Sequence, residues 1–240
     1  MAKSKVAFSR VVLKLSGEGL GGRDGAGIDP EQLEYVTGEI AQVHRAGVQL
    51  AIVVGGGNIL RGGAFSKKSS IPEATAHYMG MLATVINGLA LQEALEANKV
   101  PTRLMSSLGV TGLCEPFSRH RCKGHMEKGR AVVLAGGSGR PFFTTDTAAA
   151  LAAVEIGADA LFKATQVDGV YSADPKKDPK ARFYPKLSYD RVIDERLAVM
   201  DLSAVEMCQR CGVAMVVFNL HKAGNLKQAA MGRRVGTMIS

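Results

Sequence analysis

Three short apolar runs in this chain each end in a cluster of glycines: RVVLKLSGEG (10–19), QLAIVVGGG (49–57) and AVVLAGGSG (131–139). An apolar run of this length bounded by turn residues reads as a buried strand. TRLMSS (102–107), ADALFKA (158–164) and VAMVVFN (213–219) read the same way, and RVVLKLS (10–16) and VQLAIVVGGG (48–57) bound the first two. Helical patterns lie between them. Asp29-Pro30-Glu31-Gln32 is a helix start with Asp29 as N-cap and proline in the first turn, and this helix ends near 45–47. A long helix covers about 75–97. The alanine-rich segment after Asp146 is another, and Ser203 with Glu206 has capping-box spacing for a further one. Strands alternating with helices predict an α/β fold, a three-layer α/β/α sandwich with a mainly parallel central sheet. A single domain over residues 1–240 is the economical organisation. The segment 167–188, with turns, proline and aromatics, suits a hairpin or loop insert.

Nearly half of the residues are hydrophobic (46%), yet no apolar run approaches the length of a membrane span. The start MAKSKVAFSR lacks the pattern of a cleaved leader, so a cytoplasmic location is expected. Cys114, Cys122, Cys208 and Cys211 make no disulfide framework for a chain of 240 residues. Cys208 and Cys211 have CxxC spacing but sit late in a helix, and only CKGH (122–125) could complement them. Reduced cysteines and no metal site are expected. The formal charge is +8, but the basic residues come in small groups without interleaved aromatics. That balance fits solvated faces and an anionic small substrate better than nucleic acid.

In a parallel sheet, ligands bind outside the carboxyl ends of the strands. Glycine lets backbone amides approach a ligand, and amides at a helix start favour an anion. Three such loops in one sheet point to a polyanion, and phosphate is the obvious one. GxxxxGK[ST] is absent, so no Walker-type loop is expected. Gly17, Gly19 and Gly22 match GxGxxG, as in nicotinamide-dependent oxidoreductases. There the helix opens within the glycines, whereas here Asp24 and further glycines delay it to Pro30. Lys14 and Lys163 each sit near the end of an apolar strand, and Asp146 follows a third. Lys14 either snorkels from an edge strand or is kept for a charge partner. Positive charge over the moving phosphoryl oxygens, with carboxylates to orient it or hold Mg²⁺, is what phosphoryl transfer needs. The chain offers no persuasive Ser–His–Asp or Cys–His set.

LKLSGE (13–18), VVGGGNILRG (53–62), MGMLATVINGLAL (79–91), GGSGRPFFTTDTAA (136–149) and KATQVDGVYSADP (163–175), continued by VMDLSA (199–204) and VFN (217–219), stand in one order and spacing. In these motifs the chain resembles the bacterial uridylate (UMP) kinases of the amino acid kinase superfamily over nearly its whole length. The resemblance implies Mg²⁺·ATP as donor, UMP as acceptor and a homohexamer. It implies that Lys14, Leu15, Ser16, Gly17, Gly57, Arg61, Thr165, Tyr171 and Asp174 meet ATP, with Arg61 on the helix after the triple glycine. It implies that Gly56, His77, Ser138, Gly139, Arg140, Pro141, Phe142, Phe143, Thr144, Thr145 and Asp201 meet UMP, with Thr144 and Thr145 as hydroxyl donors. Lys14, Arg61, Asp146 and Lys163 form the implied catalytic set, Asp146 orienting the two lysines. Two residues depart from the family pattern. His77 stands where an aspartate takes a ribose hydroxyl, and Arg140 stands for an asparagine. The segment 21–27, with Arg103 and Arg130, corresponds to regions tied to GTP activation, and UTP is the implied inhibitor. Other readings stay open: a nucleotide-sensing or nucleic-acid-binding regulator on the same fold, a superfamily kinase acting on another acceptor such as a carboxylate or carbamate, and the nicotinamide oxidoreductase.

Overall fold

The computed structural model describes residues 6–240. The strands are β1 (Arg10–Leu15), β2 (Gln49–Val54), β3 (Thr102–Ser106), β4 (Glu115–Pro116), β5 (Ala131–Ala135), β6 (Ala160–Thr165), β7 (Val170–Tyr171), β8 (Phe183–Tyr184), β9 (Lys186–Leu187), β10 (Ala214–Asn219) and β11 (Thr237–Ile239). The helices are α1 (Pro30–Arg45), α2 (Gly62–Ser66), α3 (Glu73–Ala97), α4 (Arg119–Glu127), α5 (Thr145–Ile156), α6 (Tyr189–Asp194), α7 (Leu202–Cys211) and α8 (Asn225–Ala230). Among the described residues nine strands form one sheet in the order β4-β3-β5-β2-β1-β6-β10-β11-β9, parallel throughout except that β11 runs antiparallel to β10. The short strands β7 and β8 pair separately as the hairpin expected within 167–188.

The central strands are apolar on both faces because helices cover both, as a parallel sheet requires. Val11, Leu13 and Leu15 of β1 pack with α1, α3 and α8, together with Leu50, Ile52 and the fully buried Phe162 and Phe218. Val12 of β1 points the other way, into a second core with α4, α5, α6 and α7. Each fully buried side chain of this size stabilises the fold by about 1.5–3 kcal/mol. The sandwich is therefore two cores divided by one sheet.

Local signals account for several helix ends. Asp29 accepts from the Gln32 N–H at 2.9 Å, capping α1. The reciprocal arm of a capping box is absent, because the Asp29 N–H donates to Leu20 O. The Ser203–Glu206 box expected for α7 does not form. The helix begins two residues earlier, with Asp201 at the N-cap position and its carboxylate turned elsewhere. Gly17–Leu20, expected as loop, forms a single 3-10 turn. Arg61 is the residue before α2 and not on it. The edge strands β4 and β9, the three-residue β11 beside β9, and the short helices α6 and α8 carry no pattern that the sequence separates from loop.

Candidate active site

β5, β2 and β1 are adjacent in the sheet, so the three glycine clusters that follow them lie side by side along its C-terminal edge. The Gly17 turn and the Gly55–Gly57 turn are in close contact. A side chain at Gly17 would meet Asn58 Oδ1 at 2.3 Å and the Gly57 nitrogen at 2.8 Å, and one at Gly56 would meet Gly80 O at 2.6 Å. No hydrogen bond within the described chain uses the N–H of Gly56 or Gly57, which leaves both available to an anion. Two buried asparagines, missed in the sequence, hold this turn. Asn58 and Asn87 exchange side-chain hydrogen bonds of 3.0 and 2.7 Å, Asn87 donates to Gly55 O, and Asn58 donates to Gly27 O. Buried amides with no partner would be costly, so the network fixes one arrangement of the loops.

Lys14 is not on an edge. β1 is the fifth of nine strands, and Lys14 pairs in register with Lys163 of β6. Register partners in a parallel pair face the same side, so the two ammonium groups would repel across the sheet. Asp146, in the first turn of α5, closes the gap: Lys14 Nζ lies 2.9 Å from Oδ1 and Lys163 Nζ 3.0 Å from Oδ2. These side chains are only 11%, 14% and 17% exposed for Lys14, Asp146 and Lys163. Burial alone would push the Asp146 carboxyl up, but Lys14 and Lys163 outweigh it and hold it below its ordinary value. Burial pulls the Lys163 ammonium down, with Asp146 opposing and Lys14 adding to the fall. A further bond from Lys163 to Val199 O, absent from the sequence reading, fixes its Nζ. The triad holds two cations and one carboxylate, a surplus of one positive charge.

A cleft of about 450 Å³ opens beside the triad. Gly56, Gly57, Arg61, His77, Arg140, Phe143, Thr144 and Thr145 line it, joined by Gly80, Met81 and Thr84 of α3, which the sequence reading quoted only within a motif. Arg61 is ion-paired with Glu18. Phe142 and Phe143 are 64% and 56% exposed, and Phe142 has a positive φ of 71°. Ser138 and Arg140 close a small turn in which the Ser138 hydroxyl accepts from the Arg140 N–H at 3.3 Å. Gly139, also at positive φ, packs against Ser107, and Pro141 is half-buried. The Thr144 hydroxyl is already engaged: it caps α5 by accepting from the Asp146 and Thr147 N–H groups and donates to Asp201. Asp201 also accepts from Thr147 at 3.4 Å. Thr144 and Asp201 thus join α5 to α7, and of the two threonines only Thr145 keeps a hydroxyl outside that network.

Four of the remaining residues line two further clefts. Leu15, Ser16 and Thr165 line one that is a shallow pocket of about 20 Å³, where the Thr165 hydroxyl is held by Val167 O at 2.7 Å. Tyr171, tilted on Phe183 at 5.3 Å, lines another of about 500 Å³. Asp174 is exposed at a turn, accepting from the Lys176 N–H at 3.0 Å. Among the described residues the four cysteines are free, and no three His, Cys, Asp or Glu side chains converge as a metal site would need.

With this geometry in hand, the likenesses to known proteins are informative. The model of the amino acid kinase family matches residues 9–219. The uridylate kinase of Methylococcus capsulatus is 49% identical over 232 residues, 97% of each chain. That of Paramagnetospirillum magneticum is 50% identical over 237 residues, 99% of this chain and 98% of the relative. The crystal structure of UMP kinase from Bacillus anthracis superimposes with a TM-score of 0.94 at 35% identity, covering 97% of this chain and 96% of that one. The UMP kinase of Ureaplasma parvum gives 0.90 at 33% identity, covering 97% and 98%.

Proposed function

The chain belongs to the amino acid kinase family, among its uridylate kinases, and we propose that it transfers the γ-phosphoryl of Mg²⁺·ATP directly to UMP, making UDP for pyrimidine nucleotide synthesis. The observation that carries this reading is the buried triad. Two lysines side by side at the sheet's C-terminal edge share one carboxylate, and the surplus charge is what a phosphoryl group in flight would neutralise. No side chain is needed as nucleophile: the acceptor's own phosphate oxygen attacks and the β-phosphate leaves. Lys14 and Lys163 stabilise the charge, Asp146 orients both, and Arg61 exchanges Glu18 for a phosphate. The Gly17 and Gly57 turns take the ATP phosphates. Leu15, Ser16, Thr165, Tyr171 and Asp174 serve the donor nucleoside. Gly56 and the 138–145 loop, with Asp201 bracing it, enclose the acceptor. Asp146 is shared by two ammonium groups, so Mg²⁺ arrives on the ATP phosphates and waters, as it does in many phosphotransferases.

A regulator without catalysis, a kinase for another acceptor and a nicotinamide oxidoreductase are not favoured by relatives that bear the name uridylate kinase. Release of ADP from Mg²⁺·ATP, compared across UMP, CMP, AMP and GMP, tests the reading. At least tenfold higher kcat/KM for UMP is expected, and equal turnover of all four would overturn it.

The proposal includes a cytoplasmic homohexamer with GTP and UTP as effectors. Arg103 and Arg130, the basic residues noted for an effector, are engaged with Glu96, Glu115 and His125 at 3.0–3.8 Å. No helix of the described residues is long and apolar enough to cross a membrane. On α3, Tyr78, Leu82 and Ile86 form an apolar stripe at i, i+4 spacing, 40–51% exposed, the kind of face that a second copy covers. Leu82→Lys with Ile86→Lys is expected to reduce the sedimenting species to smaller assemblies. An unchanged sedimentation coefficient would remove α3 from the contact.

A further inference from the structure

His77 lies on the second turn of α3, and its ring is turned toward the acceptor loop. The Phe142 N–H donates to His77 Nδ1 at 2.7 Å, and the two rings tilt together with centroids 5.0 Å apart. Phe142 has φ 71°, a left-handed backbone that costs a side-chain-bearing residue about 1–2 kcal/mol. Such a conformation persists where its surroundings over-determine it. Here the amide bond to the imidazole and the ring contact both act on the strained residue. The bond also fixes the tautomer. A neutral imidazole has one accepting nitrogen, so with Nδ1 accepting, the proton sits on Nε2, which faces Glu73 Oε1 at 3.7 Å. No lone pair remains on the ring to accept from a ribose hydroxyl.

On the reading of this cleft as the UMP site, we propose that His77 is a positioning residue that sets acceptor affinity through Phe142, with no contact to the acceptor nucleotide. The imidazole clamps the strained amide, and the clamp keeps Phe142 and Phe143 at the mouth of the cleft. Without it, the loop relaxes to ordinary backbone angles. The cost of restoring the shape then falls on acceptor binding, because apparent affinity scales with the competent fraction.

Asparagine and glutamine separate the two ring nitrogens. His77→Asn puts a carbonyl oxygen near the Nδ1 position, whereas His77→Gln puts its polar atoms near Nε2. With wild-type turnover of UMP measured first, His77→Gln is expected to raise KM for UMP about tenfold, the worth of one hydrogen bond. Its kcat and its KM for ATP stay within about twofold, and His77→Asn returns KM for UMP to within about threefold of wild type. Amide hydrogen exchange over residues 138–145 in nucleotide-free protein reads the clamp without any acceptor, and so stands apart from the identity of the substrate. That segment exchanges faster in the Gln variant and at the wild-type rate in the Asn variant. If Gln keeps the KM and Asn loses it, the Nε2 edge meets the acceptor directly and the proposal fails. Equal exchange in all three proteins also overturns it.

Discussion

Lys14→Met is expected to lower kcat about 10³-fold, roughly 4 kcal/mol of transition-state stabilisation, with the thermal midpoint moving by less than about 3 °C. The two halves of this expectation have one cause. Asp146 is shared by Lys14 and Lys163 at 2.9 and 3.0 Å. Removing Lys14 therefore leaves a balanced pair and no orphaned carboxylate. Methionine fills much of the same volume between the apolar Leu13 and Leu15 of its strand, and shedding a buried charge is often neutral for stability. Catalysis loses the positive charge that Lys14 brings to the phosphoryl group. Steady-state kinetics with saturating UMP and a melting curve check both halves. A kcat within tenfold of wild type would remove Lys14 from the line of transfer. A collapse of the midpoint would make it a structural residue.

The features that set up this triad were visible in the sequence to different degrees. Apolar runs ending in glycine gave the central strands and their C-terminal edge, because buried parallel strands are continuous apolar runs with few competing patterns. Lys14 could not be assigned from its own run: an edge lysine and a paired central lysine look identical until the strand order is known. That order, with β6 beside β1, is a property of the whole sheet. α4 was missed because RHRCKGHME buries only Cys122 and Met126, two apolar residues at i, i+4 in a strongly basic segment. Its one signal was Ser118, which caps it by accepting from the Arg121 N–H. β11 was missed for a similar reason. Three residues at the end of the chain become a strand only through pairing with β10 and β9.

The loop side of the site was legible as composition but not as bonding. TTD reads as two hydroxyls and a carboxylate presented to a ligand, yet Thr144 spends its hydroxyl on the α5 cap and on Asp201. A threonine before a helix is both a ligand group and an N-cap, and only coordinates separate the two. His77 has the same ambiguity. Sequence gives the imidazole, while the identity of its accepting nitrogen depends on an amide 65 positions along the chain. The Asn58–Asn87 pair joins residues 29 apart, and neither asparagine stands out within its own segment.

Asp146→Asn is expected to be damaging in two ways, and pH separates them. The sequence alone suggests a change confined to turnover. In the structure this carboxylate is the shared counter-ion of two buried ammonium groups, and removing one partner of a buried ion pair costs about 3–5 kcal/mol. A midpoint about 10 °C lower is expected for a chain of this size, together with a kcat reduced at least 10²-fold as both lysines lose their orientation. The folded carboxyl sits below its ordinary value of 3.8, so its stabilising contribution is fully present above that value. The contribution is lost as pH falls through the lower folded value, where wild type becomes protonated and resembles the variant. The gap between the two melting curves should therefore be wide at neutral pH and close in acid. Lys163 moves in the opposite sense: burial already pulls its ammonium down, and without the carboxylate it falls further. The alkaline limb of the variant's residual activity then shifts to lower pH. A stability gap that stays constant from neutral pH into acid would show that the substituted amide disturbs packing and that the ion pairs contribute nothing. An unmoved alkaline limb would show that the charge of Lys163 is not what limits turnover.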